Sequence, residues 1–129
     1  MTKILNGAAI ALAVLFVFGA AAISILGIAD PVKASAGFGM PVSNAAGILF
    51  YRVFASRNIA IALAGGSFLF LRDWRSLAIL VGLASLLALS DMAVLFLAGA
   101  RPPALHAVGF GVNALTSILL WRKAQYASA

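Results

Sequence analysis

Apolar residues fill four long stretches of the chain, and polar residues gather between them. The first stretch runs from Ile4 to Ile28 with only Asn6 and Ser24 as polar interruptions. Its roughly 25 residues, at about 1.5 Å each, exceed the ~30 Å thickness of a bilayer's hydrocarbon core, which predicts a tilted spanning helix. A cleaved signal peptide is the rival reading, with Lys3 as its basic end and Ala20-Ala21-Ala22 or Ala34-Ser35-Ala36 as the cleavage site. Signal cores run about 7–15 apolar residues, whereas this run continues past the first of those sites through Ile23 to Ile28, which favours a retained helix.

The second stretch has to be longer than its uncharged part. Only about 14 uncharged residues separate Arg57 from Arg72, roughly 21 Å of helix and too few to cross. The helix must therefore begin near Asn44 to Ile48 and carry Arg52 and Arg57 within it. Arg52 lies close enough to the interface to extend its side chain into it, and Arg57 lies five residues deeper. The third stretch runs from Ser76 to Ala98 with Asp91 inside it. The fourth runs from Pro103 to Trp121, opening on a proline pair suited to a helix N-terminus and closing on an aromatic interface anchor beside Arg122 and Lys123.

Spans over 4–28, 46–71, 76–98 and 103–121 are joined by short segments at Arg72-Asp73-Trp74-Arg75 and at Gly99 to Pro102. Short connections imply antiparallel neighbours, so the expectation is an all-α, up-down-up-down four-helix bundle occupying 1–129 as one membrane domain. The connection after the first span, Ala29 to Ser43, is longer. Its Pro31, Gly37, Gly39 and Pro41 rule out a continuous helix, and GFGMP reads as a turn. This segment is either a lid or a solvated connector. Asp30 reads as a turn residue ahead of Pro31.

Composition agrees with a bilayer as the solvent. The chain is 64% hydrophobic and 9% charged, against roughly 25% charged in ordinary soluble domains. With no cysteine, disulfides, thiolate metal sites and CxxC redox chemistry are excluded. The net charge of +6 does not point to nucleic acid, because the basic residues sit singly or in pairs at the ends of apolar runs, where they set topology and meet anionic headgroups. Lys3, Arg72, Arg75, Arg122 and Lys123 fall on one side, and Lys33, Arg101 and Arg52 on the other. This asymmetry predicts both termini in the cytoplasm and a place in the cell's inner membrane.

Three ionisable groups do not mark span ends. Asp91 lies about six residues, or roughly 9 Å, inside one end of the third span. Arg57 and His106 enter the second and fourth spans from that same side, so all three share the outer third of the bilayer. A charge at a span centre costs at least about 2.5–3.5 kcal/mol and should find a partner. Arg57 and Asp91 are the expected pair, with Asn58 and Ser90 to satisfy leftover groups and His106 at the edge. Small and polar residues at helical spacing predict the inward faces. These are Arg57, Ala60, Ala64 and Ser67 on span two; Ala84, Ala88, Asp91 and Ala98 on span three; and His106, Gly109, Asn113 and Thr116 on span four. Gly65-Gly66 either supports a dimer or packs inside the bundle.

Three readings of the Arg57, Asp91, His106, Asn58 and Ser90 cluster stand open. It is a structural clasp, or a binding site for a small lipophilic molecule or a partner subunit. Alternatively it is the acid–base centre of a small membrane isomerase or hydrolase, with Arg57 stabilising negative charge. A four-span drug exporter would carry a carboxylate in its first helix, and a channel would carry polar residues through the whole bilayer; neither pattern is present. One His and three acids do not make up a metal site. No phosphate loop, nucleophile motif or cofactor signature occurs.

The GFGMP loop, the Tyr51 to Ala64 segment containing Arg57-Asn58, Asp91 late in the third span and His106 opening the fourth together carry a resemblance. The chain resembles small four-span DoxX-like membrane proteins, and within them most closely domain-of-unknown-function family 4267. Ser56 and Asn58 stand where such families usually have a glycine before the arginine and an acid after it. The resemblance implies a four-helix bundle in a bacterial cytoplasmic membrane and attaches no reaction to it.

Overall fold

A computed structural model describes residues 2–127. Helices α1 (Thr2–Ala29), α3 (Ala45–Phe70), α4 (Trp74–Leu97) and α5 (Ala104–Ala127) are each long and apolar enough to cross a membrane, and a short helix, α2 (Pro31–Phe38), follows α1. The molecule is a multi-pass membrane protein. Its large apolar side chains face outward, as at Phe18, Phe70 and Leu97, which is the arrangement that lipid rewards and water does not. Helix α3 carries Arg52 and Arg57 inside it, as the span-length reasoning requires.

Helices α2, α3 and α4 are started and stopped by local chemistry. Asn44 and Asp73 cap α3 and α4 by accepting the backbone N–H of Gly47 (2.7 Å) and Ser76 (3.1 Å). Helix α4 ends at Gly99, whose φ of 74° places it in the left-handed region. The Gly99 N–H returns to Phe96 and the Ala100 N–H to Leu95, a Schellman closure. The α3 end closes the same way with Arg72 at φ 57°, its N–H donating to Leu69 and that of Asp73 to Phe68.

The segment after α1 departs from the expected loop. Proline and glycine do break the chain at Asp30 and Gly39, but residues 31–38 between them are helical. Asp30 is the N-cap, accepting from the Lys33 N–H (3.1 Å), and Pro31 takes the first turn, where no N–H is needed. Gly39, at φ 96°, ends α2, and Met40 N–H donates back to Ser35. The buried Ser35 hydroxyl also accepts from the Val42 N–H (3.1 Å), tying the following strand of chain to α2.

Around the bundle, α1 packs on α3 and α5, while α4 packs on α5 and more sparsely on α3. Close approach between helices is set by small residues. A Cβ on Gly27 would lie 2.7 Å from the Ala55 Cβ, and one on Gly65 would lie 3.2 Å from Val17. The α4–α5 pair is tied by the Ser117 hydroxyl donating to the Ala78 carbonyl (2.7 Å). At the end holding the α3–α4 turn, Arg75 lies over Trp121 and Lys123 over Trp74. The packed core nearest this end comprises Ala9, Ala13, Leu77, Ala78, Val81 and Leu120.

The inward faces follow the expected stripes on α5 and not on α3. His106 and Thr116 are buried, with Gly109 and Asn113 half-buried. On α4, Ala84, Ala88 and Asp91 are half-buried, while Ala98 is exposed. On α3 the buried residues are Tyr51, Ala55, Ala62 and Gly65, whereas Arg57, Ala60 and Ser67 are exposed. The α3 face is fixed by where its backbone can approach α1, at Ala55 and Gly65, and this rotates the Arg57 stripe outward. Gly65 accordingly packs inside the bundle, against α1 and Leu80 of α4.

Candidate functional site

The candidate site lies at the end of the bundle that carries α2. His106, in the first turn of α5, is 8% exposed. Its Nε2 lies 3.0 Å from the Phe38 carbonyl oxygen at the end of α2, and because a carbonyl only accepts, Nε2 is the donor. The Phe38 ring meets the His106 ring edge-on (4.6 Å, 87°) and also packs on Phe54 (5.8 Å) and Tyr51 (6.4 Å). Tyr51 and Phe54 are themselves in contact at 5.7 Å. Phe38 thus holds one side of the histidine and is itself backed by Tyr51 and Phe54.

On the other side, His106 Nδ1 faces Asp91 Oδ2 at 3.9 Å. With Nε2 carrying a proton, the neutral ring offers Nδ1 as a lone pair, and two bare acceptors facing each other repel. The contact is attractive when one proton sits on either Nδ1 or the carboxyl. At 3.9 Å the two are beyond hydrogen-bond distance. Asp91 makes no hydrogen bond among the described residues, and its side chain is 35% exposed. One span therefore holds a carboxyl group whose acceptor capacity is unfilled.

The other predicted members are not drawn in. Arg57 is exposed and makes no ion pair among the described residues, Asn58 is half-buried on α3, and Ser90 is exposed on α4. The expected Arg57–Asp91 pair does not form within the chain, because α3 turns its Tyr51, Ala55, Ala62 and Gly65 face inward, leaves Arg57 exposed and presents Phe54 toward the site. The structure brings together Asp91, His106, Phe38, Tyr51 and Phe54. The last three were not singled out as site residues in the sequence; the signals available were Phe38 within GFGMP, Tyr51 opening the Tyr51 to Ala64 segment, and the Tyr51/Phe54 spacing of three. His106 and Asp91 supply two donors, and no group of three metal-ligating side chains comes together among the described residues. The apolar groove of about 510 Å³ between α1 and α3, lined by Val17, Ala21, Ile59, Ala62 and Gly66, lies apart from this cluster.

A family model described as "Domain of unknown function (DUF4267)" matches residues 13–121. The chain belongs to the DUF4267 family. No curated protein and no solved structure matches it. In this DUF4267 member, part of each sequence element that carried the resemblance meets in space, without Arg57-Asn58. Phe38 of GFGMP, Tyr51, Asp91 and His106 join one contact network at the α2 end.

Proposed function

We propose that this DUF4267 protein acts by binding, and that Asp91, held beside His106, is its recognition point within the membrane. The observation that supports this is the carboxyl group of Asp91, which lies six residues inside the end of α4 without a hydrogen bond. A carboxyl group at that depth has no water to satisfy it, so it favours a donor brought by a membrane-embedded molecule or subunit. His106 Nδ1 lies beside that carboxyl, while the bond from Nε2 to the Phe38 carbonyl and the Phe38 ring keep the imidazole in place.

Arg72, Arg75, Arg122 and Lys123 lie at the opposite end from Lys33, Arg52 and Arg101, which favours cytoplasmic termini and a site in the outer half of the inner membrane. The Lys3 side chain, which adds to the cytoplasmic side of that count, lies outside the described residues.

Native mass spectrometry of the protein released from mild detergent tests the binding reading. Wild type should retain a non-covalent partner that Asp91→Asn loses while keeping its unfolding midpoint. Equal retention by both proteins overturns the reading. The hydrogen bond from His106 to Phe38 favours a second reading, a structural clasp holding α2 to α5. Under the clasp, His106→Leu lowers the folded yield by removing the donor to the Phe38 carbonyl, and Asp91→Asn, which leaves that bond intact, keeps both the yield and whatever the wild type retains.

A further inference from the structure

We propose that the donor Asp91 receives is Arg57 of a second copy of this chain, through a twofold contact along the α3/α4 seam. This rests on the reading of Asp91 as a binding point and names the partner.

Arg57 needs a counter-charge. It lies twelve residues from the start of α3 and thirteen from its end, so it sits about 18 Å and 20 Å from the two ends of a 39 Å helix. Centring that helix on a ~30 Å core leaves its backbone about 13 Å below the nearer boundary. Arg52, five residues closer to the surface, can extend to the headgroups, whereas Arg57 is too deep to do so. It is nonetheless exposed on the surface of the single chain and has no ion pair among the described residues.

Arg57 lies three residues deeper than the level of Asp91, an offset that its long side chain can span. Helices α3 and α4 cross where Leu80 packs 3.5 Å from the position of a Gly65 Cβ. Eleven residues toward the α2 end bring α3 to Phe54 and α4 to Asp91, and eleven residues make just over three whole turns, so these two fall near the crossing faces at equal depth. The ring contacts from Phe54 through Phe38 and His106 to Asp91 agree independently. Phe54 therefore occupies the place opposite Asp91 within the chain. Arg57 sits one turn deeper, about 4.5 Å, and is rotated toward the outer margin of the seam.

A twofold axis along the membrane normal keeps depths equal and makes each contact reciprocal. Arg57 then meets Asp91 of the second copy, and Asp91 meets the second copy's arginine, so both buried charges are neutralised by bidentate pairs. Exposed Ser56 and Ala60 and half-buried Ala64, spaced by four on α3, let the two backbones approach. Exposed Leu87 and Val94, one turn either side of Asp91 on α4, complete the apolar surround.

Differently tagged Arg57→Asp and Asp91→Arg chains test the proposal when expressed separately and together. In the mixed dimer both contacts are attractive, one with reversed and one with native polarity, whereas each variant alone sets like charges against each other, so the two chains should co-purify as a dimer while each alone is monomeric. The native chain has no cysteine, so Ala60→Cys reports the same contact in membranes. It should cross-link, and adding Asp91→Asn should weaken the dimer about tenfold or more. If co-expression gives no dimer but the Arg57→Asp/Asp91→Arg double variant folds as a rescued monomer, the pair forms within one chain and the proposal is wrong. A wild-type monomer carrying a small-molecule mass that Asp91→Asn loses overturns the second copy and leaves the binding reading standing. A bare wild-type monomer overturns both.

Discussion

Substituting Gly27 with alanine should push α1 away from α3. The added Cβ would lie 2.7 Å from the Ala55 Cβ and 3.3 Å from Tyr51 Cε1, whereas carbon atoms in good contact sit about 3.5–4.0 Å apart. The Ala55 Cβ is fixed to its helix and cannot rotate away, so the backbones must separate locally by about 1 Å. Overpacking of this kind costs roughly 1–3 kcal/mol. The helix-propensity gain from removing a glycine, at most about 1 kcal/mol, offsets part of it. A net loss of about 1–2 kcal/mol follows, read as unfolding free energy in mixed micelles. Gly19 is the control, since nothing lies within 4 Å of its added Cβ, and Gly19→Ala should be neutral or slightly stabilising. Ala55→Gly removes the obstructing atom, so Gly27→Ala/Ala55→Gly should regain most of the lost stability. If Gly27→Ala behaves like Gly19→Ala, close approach at Ala55 does not hold α1 to α3, and the account of the α3 orientation is wrong.

Loss of the Asn44 cap in Asn44→Ala should cost about 0.5–2 kcal/mol by the same unfolding assay, because the Gly47 N–H loses its acceptor. Hydrogen bonds from the Ser76 hydroxyl and backbone N–H hold the Asp73 carboxyl below its ordinary value of 3.8. A lowered value in the folded state means the stabilisation is complete above pH 3.8 and is lost as the pH falls below it. Acid unfolding curves should therefore show wild type losing stability relative to Asp73→Asn in that range, and coincident curves would refute the cap's role. Ser117→Ala removes the inter-helix bond to Ala78 and should cost about 0.6 kcal/mol, or up to ~1.7, with α4 and α5 still paired.

The span lengths were legible because bilayer thickness is an external ruler. That ruler placed Arg52 and Arg57 inside α3 before any packing was known, and helix ends such as Phe70 and Leu97 fall close to the expected limits. Which way α3 turns was not legible. Its surroundings are apolar on every side, so sequence periodicity gives no burial signal, and the face is chosen pairwise by where Gly27 meets Ala55 and where Gly65 meets Val17. Placing arginine inward assumed that a buried charge must be satisfied within its own chain. Helix α2 was missed because Pro31 and Gly39 were read as breakers when they act as a first-turn residue and a terminator, with Asp30 as the cap. The depth of His106 was apparent, but its partner was not, since a backbone carbonyl 68 residues away leaves no mark on side-chain pattern.

A density map of the protein in lipid nanodiscs, inspected at the Asp91 carboxyl, tests the central claim most directly. The account predicts a donor group within about 3 Å of that carboxyl, contributed from outside the single chain. Density for lipid tails alone against Asp91, with His106 its sole polar neighbour, would contradict the claim that this carboxyl group is a binding point.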